Sequence, residues 1–276
     1  RLSPGEKNNR KRMATVVSVY EVAPYPRTLE QILDREQQAE AKRPRPVNKR
    51  TWARVEADQG TVVEQGFAEA VRRDPDQRMI WVVLTDGHPD LLRQVYACAK
   101  RYKVNIIVIQ DFVHVLEYLW KAAYALHPET AEEREAWVMD RAKAVLEGRA
   151  RDVAVGLRRA ATRKQLSQSE REPVDKAADY LANNEERLHY DHALEQGLPI
   201  ATGVIEGACR CVVKDRMERS GMRWVMSGAR AMLDVRCVYL SDLWEEFATF
   251  RIQRESRRLY PGYAANDPNF STPLAA

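Results

Sequence analysis

Two apolar runs separated by an amphipathic helix constrain the fold of this 276-residue chain more than any other feature. Residues 79–85 and 104–109 are apolar with few interruptions, and residues 89–102 between them have the spacing of a helix. Strands that are apolar on both faces are typical of parallel sheets, because helices cover both sides of such sheets. The sequence therefore predicts a parallel β-α-β unit in the first half of the chain.

The remaining segments predict a mostly helical chain around that unit. Residues 14–22 are rich in β-branched side chains and predict a strand, whereas the basic, proline-broken residues 42–50 predict a connector. Helical spacing predicts helices at residues 29–41, 61–73, 113–126, 131–146, 149–166, 173–196 and 206–219, and one or two more within 226–250. The predicted fold class is α/β. Its expected parts are a sheet domain at 1–127, a helical insertion at 128–200, helices that return to the sheet at 201–255 and a disordered tail at 256–276.

The amino-acid composition limits which class of protein this chain can be and which partners it can bind. The chain has 44 Lys and Arg against 40 Asp and Glu, a net charge of +4, and its isoelectric point is near 8.8. This mild excess fits a nucleic-acid partner without requiring one. No apolar run approaches the length of about 18 residues that a membrane-spanning helix needs. The four cysteines lack zinc-site spacing and are expected to be reduced thiols in the cytosol.

Two aspartates follow the predicted strands of the β-α-β unit. Asp86 comes directly after the first strand and precedes Gly87, and Asp111 follows the second strand, with His114 one helical turn later. Ligands of parallel sheets bind at the carboxyl ends of strands, so both acids are candidates for a site. Each also has a structural alternative. Asp86 could be a turn residue or a helix cap, and Asp111 could cap the backbone N–H of His114.

Glu206 is the third acid that the pattern singles out. It lies in a predicted helix at the edge of an apolar face, which on a 3.6-residue wheel comprises Ile205, Ala208, Cys209, Val212, Val213 and Met217. A buried carboxylate without a partner costs several kcal/mol, which a bound metal ion would offset. The alternative is a solvent-exposed i,i+4 ion pair with Arg210, which would contribute only a few tenths of a kcal/mol.

Together the three acids predict a cation site. Carboxylates that cluster at one place repel one another unless cations neutralise them. Oxygen ligands with remaining water sites suit Mg²⁺ or Mn²⁺, and two such ions activate a water or a 3′-hydroxyl and stabilise the leaving oxygen. If Asp86, Asp111 and Glu206 converge, the chemistry that they favour is the cleavage and joining of phosphodiesters.

Several segments of the chain resemble one family of DNA-transposing enzymes. The segments ATGVIEGACR at 201–210 and VKDRMERSGMRW at 213–224 resemble the end of bacterial insertion-sequence transposases of the Kra type, near the Mutator-like DDE transposases. LTDGH at 84–88 resembles the second-acid motif of that family, and DFVHVLEYLW at 111–120 is similar to the Asp-x-x-His motif that follows it. RLSPGEKNNRKRMAT at 1–15 also resembles a family segment, so the resemblance covers nearly all of the chain up to the tail.

The resemblance implies a ribonuclease H-like sheet domain, incomplete at its N-terminus, with a large all-helical insertion. It implies a divalent-metal DDE site that cuts and joins DNA, with Mg²⁺ or Mn²⁺ as cofactor. By motif, Asp86 is the second acid and Glu206 the third, both of them metal ligands, while Asp111 and His114 are auxiliary. The implied partners are transposon ends and target DNA, with a homo-oligomer for the full-length protein and no membrane. The implied location is the bacterial cytoplasm at the nucleoid.

Basic and aromatic residues that follow the third acid are the candidates for DNA contacts. Arg210, Lys214 and Arg216 are expected at phosphates, or alternatively in ion pairs with carboxylates of their own helix. Arg223 and Trp224 are expected to stack on an extruded base, or alternatively Trp224 packs in the core.

The chain departs from the family pattern at two places. The first acid of the family, an Asp-Gly at the end of the first strand, falls upstream of the segment that matches Arg1. Other aspartates that do not follow strand patterns are poor substitutes: Asp34, Asp58, Asp74 and Asp76. We therefore expect the chain to be the C-terminal portion of a longer transposase and to be inactive alone. Cys211 stands where His is expected, which would weaken a DNA contact.

Three functions stay open on the sequence alone. The first is DDE catalysis of phosphodiester hydrolysis and strand transfer in DNA transposition. The second is a non-catalytic, DNA-binding remnant of such an enzyme, because the first acid is absent while the basic surface is retained. The third is an α/β enzyme that uses Asp86 and Asp111 on a small phosphate ester; the lack of a glycine-rich phosphate loop after any strand argues against it.

Overall fold

The structure is a computed structural model. It describes residues 14–34, 36–37, 43–55, 59–127, 130–201, 203–218 and 222–260, without the side chains of 204–206, 216 and 218. Within these residues the chain is an α/β protein in which helices predominate. The strands are β1 (Ala14–Glu21), β2 (Val47–Val55), β3 (Trp81–Thr85) and β4 (Ile106–Gln110).

The α-helices are α1 (Glu30–Leu33), α2 (Gln59–Arg73), α3 (Pro89–Tyr102), α4 (Phe112–Leu126), α5 (Ala131–Leu146), α6 (Ala150–Arg163), α7 (Gln168–Asn183), α8 (Tyr190–Glu195), α9 (Gly203–Cys209), α10 (Met226–Leu240) and α11 (Trp244–Leu259). A 3₁₀ turn at Glu185–Arg187 lies between α7 and α8, and a π-helix at Arg210–Glu218 continues α9. Among the described helices, none has the length and apolar character needed to cross a bilayer.

The chain divides into two compact units. Unit 1 comprises Arg1–Glu21, Val47–Asp58 and Ile205–Ala276, and unit 2 comprises Val22–Pro46 and Gln59–Val204. Each unit has a hydrophobic core of its own. The domain boundaries expected at residues 127, 200 and 255 stay predictions.

Unit 2 contains the parallel β-α-β unit expected from the sequence. Strands β3 and β4 pair in parallel, with Trp81 opposite Ile106 and Thr85 opposite Gln110, and α3 connects them. His88 caps the start of α3 because its Nδ1 accepts a hydrogen bond from the backbone N–H of Asp90 at 3.3 Å. Since the two strands run in the same direction, their carboxyl ends meet at one edge of the sheet.

Helices pack on both faces of the β3–β4 pair. Val82 and Leu84 contact the larger core, which is built by α4 to α8, whereas Trp81 and Val83 contact a smaller cluster formed with α2 and α3. This alternation follows from the period of two in a strand, which sends successive side chains to opposite faces. Coverage on both sides explains why the two strands are apolar almost throughout.

The predicted helices between residues 113 and 166 are confirmed within a few residues, but the one expected at 173–196 is not a single helix. Helix α7 begins earlier, because Ser167 and Glu170 form a capping box at its N-terminus. It ends at Asn183, and the side chain of the next residue, Asn184, donates a hydrogen bond of 2.8 Å to the carbonyl of Tyr180. The 3₁₀ turn and α8 occupy the remainder.

Unit 1 is built on an antiparallel strand pair that the sequence predicted only in part. Strand β1 was expected, but β2 falls on residues for which a connector was predicted up to position 50. Thr51, Ala53 and Val55 are buried and alternate with residues that are only partly buried. The small inward side chains at 51 and 53 hide the alternation that identifies a strand. The connector prediction is therefore wrong from Val47 onward.

Two helices complete the core of unit 1. Val212 of the π-helix and Leu233 and Cys237 of α10 are buried against Ala53 and Val55 of β2. The helical region expected at 226–250 is two helices, α10 and α11, and α11 continues to Leu259. Residues 261–276 of the expected tail lie outside the described residues.

The helix expected at 29–41 is interrupted at Asp34 in the described residues, and residues 36–37 are helical again. Helix α1 ends at Leu33, and Asp34 has extended backbone angles (φ −87°, ψ 122°). Its carboxylate Oδ1 accepts a hydrogen bond of 2.8 Å from the backbone N–H of Glu36, which competes with the helical hydrogen bond. Residues 38–42 lie outside the described part of the chain.

Candidate functional site

Asp86 lies at the carboxyl end of β3, where the sequence placed it. Its side chain is exposed, and its Oδ1 accepts a hydrogen bond of 3.0 Å from the backbone N–H of His88. This is the turn arrangement that we considered as the structural alternative, while the cap of α3 is His88 rather than Asp86. The turn uses one carboxylate oxygen, so the exposed carboxylate can still offer oxygen to a cation.

Asp111 lies at the carboxyl end of β4 and is 1% exposed. It caps α4, but its Oδ1 accepts from the backbone N–H of Val113 at 3.0 Å, not from that of His114. Its own N–H donates to the carbonyl of Thr85 at 2.8 Å, which continues the pairing of the two strands by one residue. The parallel register therefore places Asp86 and Asp111 side by side at one edge of the sheet.

His114 lies in the first turn of α4. Its Nδ1 is 3.4 Å from Oε2 of Glu117 on the same helix, and its side chain is 38% exposed. Glu117 in turn approaches Lys121 at 4.0 Å. His114 is therefore reachable by a ligand, as an auxiliary residue would need to be.

The sequence did not single out the residues that support the turn of Asp86. Gln110 is fully buried, and its Nε2 donates a hydrogen bond of 2.6 Å to the hydroxyl of Tyr180 on α7. That hydroxyl donates a longer hydrogen bond, 3.4 Å, to the backbone carbonyl of Asp86. A second hydroxyl, that of Tyr190, donates to the backbone carbonyl of Gln110 at 2.8 Å.

Both tyrosine hydroxyls stay protonated and serve as donors. Burial raises the pKa of Tyr180, and the nearby charges of Asp111 and Asp86 add to the effect. Burial also raises the pKa of Tyr190, which is fully buried and packs edge-on against Phe112 at 5.3 Å between ring centroids. The only hint of this network in the sequence is a polar residue, Gln110, at the end of an otherwise apolar strand.

Glu206 belongs to α9, in unit 1, and its side chain lies outside the described residues. The apolar face predicted around it is confirmed where it is described, because Val212 is fully buried and Val213 and Met217 pack on the same core. The helix is not regular throughout, since Arg210–Glu218 is a π-helix with hydrogen bonds from residue i to i+5, yet Val212, Val213 and Met217 still face the core. The choice between a cation ligand and an ion pair with Arg210 stays open.

The residues expected to contact DNA are on the surface where they are described. Arg210 and Lys214 are exposed positions of the π-helix, and Arg223 is exposed in the segment before α10. Trp224 is 36% exposed and is not among the buried residues, so the alternative of core packing is not supported. The side chain of Arg216 lies outside the described residues.

The donors at the sheet edge suit a hard cation in kind but not yet in number. Asp86 offers an exposed carboxylate, whose oxygens Mg²⁺ and Mn²⁺ prefer, whereas the carboxylate of Asp111 is buried and caps α4. Among the residues whose side chains are described, no group of three His, Cys, Asp or Glu side chains is close enough together to hold a metal ion. Mg²⁺ is commonly held by one or two carboxylates together with water and substrate phosphates, so the exposed carboxylate of Asp86 can serve as one of its ligands.

Comparison with known proteins adds no relative. No protein-family model, no curated protein and no solved structure matches this chain.

Proposed function

We propose that this chain carries part of a ribonuclease H-like DDE centre for phosphodiester hydrolysis and strand transfer in DNA transposition. The observation that carries the proposal is the placement of Asp86 and Asp111 directly after two parallel strands, at one edge of the sheet. That edge is where parallel sheets bind ligands. The resemblance of residues 84–88, 111–120 and 201–224 to insertion-sequence transposases gives the edge its chemistry.

The residues divide into two roles. Asp86, which is exposed, and Glu206 are the cation ligands, and Mg²⁺ or Mn²⁺ bound there would activate the attacking hydroxyl and stabilise the leaving oxygen. Asp111 is almost fully buried and caps α4, so its contribution is to fix the start of the helix that carries His114. His114 is placed to contact substrate from the first turn of that helix.

The proposed substrates are transposon ends and target DNA in the bacterial nucleoid, bound by a homo-oligomer of the full-length enzyme. Arg210 and Lys214, which are exposed, and Arg216 would neutralise phosphates. Arg223 and the partly exposed ring of Trp224 would stack on a base that leaves the duplex.

The test compares parent protein with Asp86→Asn and Glu206→Gln on labelled transposon-end DNA in Mn²⁺. Each is prepared both as this chain and as an extended protein, in which a strand ending in the Asp-Gly that the resemblance implies for the first acid is fused to Arg1. Cleavage by the extended parent that falls about 10³-fold in both variants would support the proposal, since metal contacts contribute several kcal/mol to such reactions. Equal cleavage by Glu206→Gln would remove Glu206 from the mechanism.

A non-catalytic, DNA-binding remnant is the second candidate. It is favoured by the exposed basic side chains of Arg210, Lys214 and Arg223, which can bind phosphates without a catalytic centre. This function predicts a mobility shift on transposon-end DNA that weakens as salt rises, without cleavage at any Mn²⁺ concentration by either protein. Cleavage by residues 1–276 alone would exclude it.

A further inference from the structure

A tyrosine hydroxyl from α7 and a buried amide from β4 lie against the turn that carries Asp86. We propose that Tyr180 is a positioning residue: together with Gln110 it fixes the backbone of Asp86 so that the carboxylate keeps a cation-binding orientation. The part of this inference that concerns the cation rests on the proposed function. The part that concerns the turn stands on the structure alone.

The position of the Tyr180 hydroxyl is set by its ring. The ring stacks on that of Tyr118, with 4.0 Å between centroids and 19° between planes. Lys121 lies over the ring of Tyr118 at 5.1 Å and so strengthens the stack from the same helix. The hydroxyl therefore has little freedom, and its hydrogen bond to the carbonyl of Asp86 acts at a fixed point of the turn.

The side-chain amide of Gln110 packs against the turn at Gly87. Its amide lies so close to Gly87 that a Cβ there would be 2.3 Å from Nε2 and 2.8 Å from Oε1. Gly87 has φ +85°, a conformation that suits glycine and lets the backbone approach the amide. The turn therefore contacts β4 at Gly87, through the amide of Gln110, and α7 at the carbonyl of Asp86, through the hydroxyl of Tyr180.

The amide is retained at an energetic cost. Within the described part of the chain, Oε1 of Gln110 is buried and accepts no hydrogen bond. Reversing the amide would exchange the two atoms and leave Nε2 in the same position without a partner. Buried polar atoms without partners are rare. Among the described residues, the hydrogen bond from Nε2 to the hydroxyl of Tyr180 is the polar contact of the amide that offsets this cost.

Through Tyr180, the helical segment supports the turn at the sheet edge. Tyr180 lies in the region that the sequence predicted to be a helical insertion, and it reaches the backbone of Asp86 across 94 residues of chain. The insertion would then support the turn directly, in addition to any contact that it makes with DNA.

Amide hydrogen exchange of the intact chain tests the turn. Tyr180→Phe keeps the stacked ring but removes the hydroxyl; Tyr124→Phe, an exposed tyrosine of α4, is the matched control. We expect the His88 amide, which donates to Asp86 Oδ1, to exchange about tenfold faster in Tyr180→Phe, relative to the core amide of Leu119. Tyr124→Phe should change neither amide. Equal acceleration at His88 and Leu119, or none at either, would overturn the proposal.

The double variant Tyr180→Phe/Gln110→Met separates positioning from general stability. Replacing both polar partners by apolar groups removes the unpartnered amide, so the free energy of unfolding should return toward that of the parent. A positioning role predicts that the His88 amide stays fast and that the Mn²⁺ concentration for half-maximal cleavage by the extended protein stays about tenfold raised. Recovery of both with stability would mean that Tyr180 is merely structural. If the extended parent does not cleave, the proposed function fails, and exchange alone decides whether Tyr180 fixes the turn.

Discussion

Gly87 lies directly against the buried amide of Gln110, and a Cβ on residue 87 would be 2.3 Å from its Nε2. Because the amide is fully buried and φ of Gly87 is +85°, neither partner can move without cost. We predict that Gly87→Ala lowers the free energy of unfolding by about 1–3 kcal/mol, the sum of left-handed strain and the close contact. Urea-induced unfolding of the variant and the parent measures this difference in the free energy of unfolding.

Gly156→Ala is the matched control. Gly156 lies inside α6, and a Cβ there would meet nothing within 4 Å. Removing a glycine from a helix should stabilise the protein by up to about 1 kcal/mol. A Gly87→Ala protein that is as stable as the parent would show that the close contact between residue 87 and the Gln110 amide does not constrain the turn.

The hydroxyl of Tyr190 should contribute measurably to stability. It is fully buried and donates a hydrogen bond of 2.8 Å to the carbonyl of Gln110. Tyr190→Phe keeps the edge contact with Phe112 but removes this buried hydrogen bond, so we expect the free energy of unfolding to fall by about 1–2 kcal/mol in chemical unfolding. Tyr239→Phe, at a tyrosine that is 66% exposed, should change stability by less than about 0.5 kcal/mol. Equal effects would contradict the assignment.

Asp74 should make stability depend on pH in acid. Its pKa is lowered by hydrogen bonds from the indole of Trp81 and the backbone N–H groups of Met79 and Arg78. A folded-state pKa below the unfolded value of about 3.9 gives stability that is fully present above that value and is lost as pH falls through the folded pKa. Asp74→Asn should therefore be less stable than the parent at pH 6, and the difference should shrink progressively as pH falls below about 3.9, in unfolding followed by tryptophan fluorescence. A difference that does not change with pH would be inconsistent with this role.

Asp111 can be separated into its cap and its charge. Asp111→Asn keeps an oxygen for the N–H of Val113, whereas Asp111→Ala removes it. Since Asn and Asp cap equally well, we expect Asp111→Ala to cost about 1–2 kcal/mol and Asp111→Asn clearly less. If Asp111 also assists catalysis through its charge, Asp111→Asn should reduce cleavage by the extended protein despite its stability. Equal destabilisation by both variants would mean that the charge, not the cap, is structural.

The sequence could predict those elements in which a single pattern dominates. The apolar strands around residues 82 and 108 are covered on both faces, so their composition alone indicates a parallel pair, and the position of Asp86 and Asp111 follows from that pairing. Strand β2 was not predicted, because its inward residues Thr51 and Ala53 are small and its outward residues are charged or aromatic. There, tertiary packing against α10 selects the strand.

The support of the site could not be predicted, because it depends on contacts between distant segments. Nothing near Tyr180 in the sequence indicates that its hydroxyl meets Gln110, 70 residues earlier. The π-helix that begins at Arg210 was equally beyond reach, since a wheel with 3.6 residues per turn assumes a regular helix.

The most direct test of the central claim is anomalous diffraction from crystals grown with MnCl₂. The claim is that Asp86 and Glu206 share a divalent cation. It predicts a manganese peak with an oxygen of each carboxylate at about 2.1 Å, the usual distance for an octahedral ion of this kind. The peak should disappear in crystals of Glu206→Gln. A structure in which the two carboxylates face different regions, with no manganese between them, would contradict the account.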